Sequence, residues 1–214
     1  MFTALTLRID LLNRKPLGPL ATRTFKVAAE SSMYDLHQII QVVMGWNNSH
    51  SYSFYVGDNM TITDKRFGLE NASTDVHDIT AGEVFSDDVG KQIEYEYDFG
   101  DGWMHTIVLL DRSDTRTQQS TTDAETEVLP LVISGENACP PDDCGGPIGY
   151  KDLLDVLSNP KHPEYKNLRA WTDGMVMAGP KFDPKRYSVD DKNYHLKHLG
   201  RWIQMYEEMM NDDF

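Results

Sequence analysis

The chain has 214 residues, of which 40% are hydrophobic and 25% charged. That composition is too apolar for wholesale disorder and sufficient for a real hydrophobic core. The 34 acidic residues outnumber the 20 basic ones, and the net charge of −14 opposes broad, non-specific nucleic-acid binding.

No apolar run approaches the roughly 20 residues that a membrane-spanning helix needs. The segment Met1–Arg8 carries charge inside an alternating apolar pattern and reads as no signal peptide. Two cysteines exclude a disulfide scaffold. The expectation is a cytoplasmic protein with no membrane partner.

Leu5, Leu7, Ile9 and Leu11 recur with period two and predict a half-buried strand. Turn chemistry at Asn13–Pro19 leads to a second strand over Thr22–Ala28. Ser31 or Ser32 caps a helix whose Leu36, Ile39, Ile40, Val43 and Met44 follow helical spacing, and Gly45 stops it. Ser51–Val56 is a third strand, so the chain opens as a β-β-α-β unit of β-grasp-like order. Residues 57–90 read as acidic and irregular, with a short strand at Met60–Thr63.

Ile93–Asp98 alternates cleanly, and Trp103–Leu110 is its partner across the glycine-rich connector Phe99–Gly102. Asp111–Glu127 is a polar loop. A strand at Val128–Ser134 follows, then helices at Gly149–Ser158, at His162–Trp171 and from Ser188 onward. Leu196, Leu199, Ile203, Tyr206 and Met210 line the last helix, with Trp202 and Tyr206 among its aromatic residues. The fold class is α+β, a mainly antiparallel sheet with packed helices, expected as a single domain over residues 1–214.

Charge is uneven along the chain. Asp58–Asp98 holds eleven acids against Lys65, Arg66 and Lys91. Gly179–Arg201 holds six cations against Asp183, Asp190 and Asp191, a net +3. Either the chain has a solvated acidic surface beside a mildly basic helix, or this basic stripe meets an anionic partner.

Two segments can carry chemistry. In the hairpin, a four-residue loop sets Asp98 opposite Trp103 and Glu96 opposite His105, with Asp101 at the tip. A shift of one residue destroys this cluster. Carboxylates beside an imidazole bind a metal or pass a proton, or they simply pair within a turn. The second segment is Cys139-Pro140-Pro141-Asp142-Asp143-Cys144, followed by two glycines. One cysteine pair is half of a structural zinc site, so Cys139 and Cys144 need other ligands, with His105 the best candidate. The polar cleft expected from both segments holds Glu96, Asp98, Asp101, Trp103, His105, Asp142 and Asp143. The metal set within it would be Asp98, Asp101, His105, Cys139 and Cys144, taking a divalent cation. His50 reads as a residue at a strand start, beside Ser49 and Ser51, and His195 and His198, three apart on a helix, read as part of a solvated helix face. The economy of special backbone puts Gly100–Gly102 close to Pro140–Gly146.

Tyr95–His105, Cys139–Gly146, Gly149–Leu154, Phe182-Asp183-Pro184 and Asn193 together resemble the plasmid ORF-3-like family, named for an open reading frame of a root-inducing plasmid. Tyr34-Asp35-Leu36-His37 fits as well, so the resemblance covers nearly the whole chain. It implies an α+β fold with a mainly antiparallel sheet and no particular activity. Some relatives carry a loose resolvase label. Phosphoryl transfer by such enzymes needs arginines clustered around a nucleophile, and the arginines here are few and scattered.

Two functions follow. The leading one is a non-enzymatic binding or interaction module with the two loops as its recognition surface. The alternative is a metal-dependent hydrolase or metal-regulated protein using the hairpin-tip Asp/His cluster.

Overall fold

The computed structural model describes residues 3–13, 18–67, 73–86, 88–114, 128–175, 181–201, 203, 204 and 208. Strand β1 (Thr3–Leu11) turns into β2 (Ala21–Ala28), with Leu20 N donating to Leu11 O at 2.8 Å. Helix α1 (Met33–Met44) starts at a reciprocal cap. Asp35 N donates to Ser32 Oγ, and Ser32 N donates to the Asp35 carboxylate, both at 3.0 Å. Gly45 ends it in the left-handed region, at φ 95°, where glycine carries no side-chain penalty.

Strand β3 (Tyr52–Val56) follows. The stretch that reads as irregular holds β4 (Met60–Thr63), the two-residue β5 (Thr74–Asp75) and the short helix α2 (Ala81–Phe85). A capping box of Thr80 and Glu83 starts α2. Next come β6 (Gln92–Tyr97), β7 (Trp103–Asp114) and β8 (Leu131–Glu136). Helices α3 (Gly146–Leu157), α4 (Tyr165–Met175) and α5 (Val189–Leu196) complete the described elements. Most of the expected polar loop, together with Trp202, Tyr206 and Met210, lies outside the described residues.

The eight strands form one sheet in the order β5-β4-β3-β6-β7-β1-β2-β8, antiparallel except for β4 with β5. The chain is therefore α+β, as expected. The β1-β2-α1-β3 order is present, and β6 and β7 lie between β3 and β1.

Period two gives the sheet one buried face. Phe25 and Val27 of β2, Ile93, Tyr95 and Tyr97 of β6, and Trp103, Ile107 and Leu109 of β7 all belong to it. Helix α1 is buried almost all round and joins this face through His37, whose ring nitrogens hydrogen-bond Tyr95 Oη (2.9 Å) and Asn48 Oδ1 (2.6 Å). No described helix is long and apolar enough to cross a membrane.

Candidate functional site

The hairpin register differs from the one read from sequence. Tyr97 pairs with Trp103, Glu96 with Met104 and Tyr95 with His105. The cause is Asp98, which leaves the strand and takes a left-handed backbone at φ 57°. Its carbonyl accepts from Gly102 N at 2.6 Å, and its Oδ1 accepts from Gly100 N (2.9 Å) and Asp101 N (3.2 Å). The loop is thus five residues, Asp98–Gly102, and the odd number shifts the facing pairs by one.

The shift separates the expected cluster. Trp103 and His105 point into the core, each 0% exposed. Glu96 lies on the opposite face, where its carboxylate accepts from the Tyr55 hydroxyl at 2.7 Å. His105 Nδ1 meets Tyr95 O at 3.1 Å, and its ring stands edge-on to Trp46. Burial depresses its pKa to about 3, so it is neutral at pH 7. A buried, neutral imidazole inside an aromatic cluster is a packing residue.

The two loops meet. Asp101 Oδ2 accepts from Gly145 N at 3.2 Å. Trp46 Nε1 donates to Pro140 O at 3.0 Å, and Asn47 N donates to Asp142 Oδ2 at 3.0 Å, which fixes the Cys139–Cys144 segment against the end of α1.

Neither cysteine belongs to a converging group of metal-ligating side chains among the described residues, although Asp101, Asp142 and Asp143 lie near enough to Cys144 to act on its thiol. Both are free of disulfide bonding. Cys139 is buried, and its Sγ accepts from Arg23 Nη2 at 3.5 Å. Burial raises both thiol pKa values, that of Cys144 to about 12, so neither supplies thiolate at neutral pH without a metal.

Among the described residues, the one group of three metal-ligating side chains that converges is His50, Asp98 and Asp143. Their ligand atoms all lie within 4.8 Å of one another. His50 Nε2 is 3.3 Å from Asp143 Oδ1 and 3.6 Å from Asp98 Oδ2. Asp98 is buried and Asp143 exposed, so the group opens to solvent on one side. Asp142 lies beneath it, 3% exposed, with Oδ1 making no hydrogen bond. The Tyr97 hydroxyl lies beside this carboxylate without closing a bond to Oδ1. Burial raises the Asp142 pKa, and the charge of His50 works against that rise.

Of the expected metal set, only Asp98 belongs to this group. Asp143 was expected in the cleft, and His50 was expected only at a strand start, outside the site. The signal for His50 is long-range: β3 pairs with β6, and Ser51 O accepts from Asp98 N at 2.9 Å. Once that pairing is known, His50 falls beside the hairpin tip.

The chain as a whole has a family. Residues 3–191 match the family described as plasmid pRiA4b ORF-3-like protein, and the chain is a member of it. It is 29% identical over 176 residues to the uncharacterized protein y4hQ of Sinorhizobium fredii strain NBRC 101917 / NGR234, covering 81% of this chain and 85% of that protein. The crystal structure of MM3350, a protein of unknown function from Methanosarcina mazei Go1, shares the fold at a TM-score of 0.68 and 23% identity, covering 89% of this chain and 98% of that one.

Proposed function

We propose that the protein is a binding module whose recognition site, at the junction of the hairpin tip and the Cys139–Gly146 loop, takes a divalent cation. The convergence of His50, Asp98 and Asp143 within 4.8 Å carries this reading. One imidazole nitrogen and two carboxylates suit zinc or manganese, with water filling the open side. Asp98 is oriented for the task. Two backbone amides hold its Oδ1, which leaves Oδ2 turned to His50. Asp142, beside the group, adds a third carboxylate.

The experiment is calorimetric titration of the chelator-treated, untagged chain with Zn²⁺, Mn²⁺ and Mg²⁺ in turn. One ion per chain is expected for at least one metal, with affinity reduced at least about tenfold in His50→Ala and in Asp98→Asn. Asparagine tolerates the left-handed backbone at 98, so that variant keeps the turn. His195→Ala is the control and leaves binding unchanged. No uptake, or uptake that survives both substitutions, overturns the reading and leaves His50 as a polar neighbour of its two carboxylates.

A further inference from the structure

Beyond the wall formed by Trp46 and Pro140 lies a cleft of about 530 Å³, bounded by β2, the carboxyl end of α1, residues 138–141 and α5. That volume falls within the range of small-molecule sites.

Arg23 lies against this cleft. Period two places it on the core face of β2, between Ala21 and Phe25, and it is 0% exposed. Its Nε donates to Val43 O at 2.9 Å, and its Nη1 donates to Thr22 O (2.7 Å) and Glu136 O (2.6 Å). Its Nη2 donates to Cys139 Sγ, and the guanidinium lies 3.8 Å over the Tyr187 ring. Every one of these partners is neutral. A fully buried cation without a counter-ion is costly.

Lys192 adds a second, mostly buried charge, and its nearest carboxylate, Asp191 Oδ2, is 3.7 Å away. Burial holds its pKa below the ordinary lysine range. Lys181, Arg186 and Arg201 also line the cleft. Against these five cations the lining offers two carboxylates, Asp183 and Asp191, on a chain whose net charge is −14. The carboxyl end of α1 accounts for part of this, since Val43 O accepts from Arg23 and the helix end favours a cation. It supplies only about half a charge.

The remaining walls are apolar, with Trp46, Pro140, Phe182 and Tyr187 prominent. Charged floor and aromatic walls together suit an amphiphilic ligand. A polyanion fits poorly, because the cleft is small and the rest of the chain repels phosphate backbones.

We propose that this cleft binds a small organic anion, a phosphate or carboxylate head group on an aromatic or apolar body, with Lys192 facing the head group and the buried Arg23 adding its charge from within the wall. The cleft shares none of the three residues of the His50–Asp98–Asp143 group, so this proposal and the cation site stand or fall separately.

The test is calorimetric titration of the full chain with phenyl phosphate, benzoate and neutral benzyl alcohol. At least one anion binds at one per chain, about tenfold or more tighter than benzyl alcohol, and more weakly as sodium chloride is raised. The tighter of the two anions identifies the head group. Lys192→Met weakens anion binding about tenfold, and His50→Ala leaves it unchanged. Circular dichroism melting checks the fold of Lys192→Met. If it does not fold, Arg186→Met, a change at an exposed side chain, decides instead and weakens binding several-fold. Absence of anion binding at millimolar concentration, equal binding of benzyl alcohol, or anion affinity unchanged in the folded variants each overturns the proposal.

Discussion

Asp101 holds Gly145 through a 3.2 Å hydrogen bond to its backbone N–H, and the Asp101 carbonyl oxygen lies only 2.5 Å from where a Cβ on Gly146 would stand. The hairpin tip and the cysteine loop are therefore joined by one bond and one close backbone approach. Gly146 also has a left-handed backbone, at φ +66°. Gly146→Ala meets both the clash and the backbone penalty and should cost about 2–3 kcal/mol in urea unfolding. Asp101→Ala removes only the hydrogen bond and should cost about 1 kcal/mol. Because Asp143 lies in the same loop, Gly146→Ala should also weaken cation uptake more than Asp101→Ala does.

Trp103 heads the fully buried side chains and lies opposite Tyr97, behind the hairpin tip. Trp103→Ala should destabilise the protein by about 3–5 kcal/mol, since the cavity it leaves cannot close around a rigid sheet. The indole N–H makes no hydrogen bond among the described residues. Trp103→Phe should therefore cost less than half as much, because what is lost is volume and not a polar contact. Chemical denaturation of the two variants side by side distinguishes these outcomes, and equal losses would place the energy elsewhere.

What was legible in the sequence was local. Alternation marked β1, β2, β6 and β7, and helical spacing with Ser32 and Gly45 marked α1, because each signal lies within a few residues of its consequence. The hairpin face was not legible, since one left-handed residue, Asp98, decides between a four- and a five-residue loop and so between two opposite faces. Helix α2 is only five residues long, too short for a periodic pattern. Its Thr80–Glu83 capping box was the available sign. The candidate site was half visible. Asp98 and Asp143 stand in conspicuous glycine-rich turns, whereas His50 reaches them only through the pairing of β3 with β6. Arg23 carried a signal of its own, a charge at a position where period two calls for an apolar side chain.

His37 and His105 set the acid limit of the fold. Both are fully buried, and burial, the largest cause, lowers each pKa from 6.5 to about 3. The native state thus keeps them neutral while the unfolded chain takes up protons below about pH 6.5. Their contribution to stability is complete above the unfolded pKa and declines as pH falls toward about 3. Each should add a slope of about 1.4 kcal/mol per pH unit below the unfolded value. Unfolding free energies measured between pH 5 and 6.5 should show this slope, and His105→Gln should remove about half of it. A slope unchanged in that variant would mean that His105 is not the buried neutral group described.

Asp142 sets stability against binding. Burial is the chief cause that raises its pKa, while Asn47 N donates to one of its oxygens and the other makes no hydrogen bond. A carboxyl with a raised pKa favours the fold when protonated, so stability is lost as pH rises above its unfolded pKa. Asp142→Asn keeps an acceptor for Asn47 N and removes the buried charge. At pH 7, without metal, it should stabilise the protein by about 1 kcal/mol, and the gain should vanish in acid where aspartate is neutral too. The same change removes the negative charge beneath His50 and Asp143 and should weaken cation affinity about tenfold or more. Thermal melts with and without added metal read both effects in one experiment: the variant melts higher than wild type in chelator and gains less from metal. A variant that melts lower in chelator would show that the Asp142 charge is compensated in the fold.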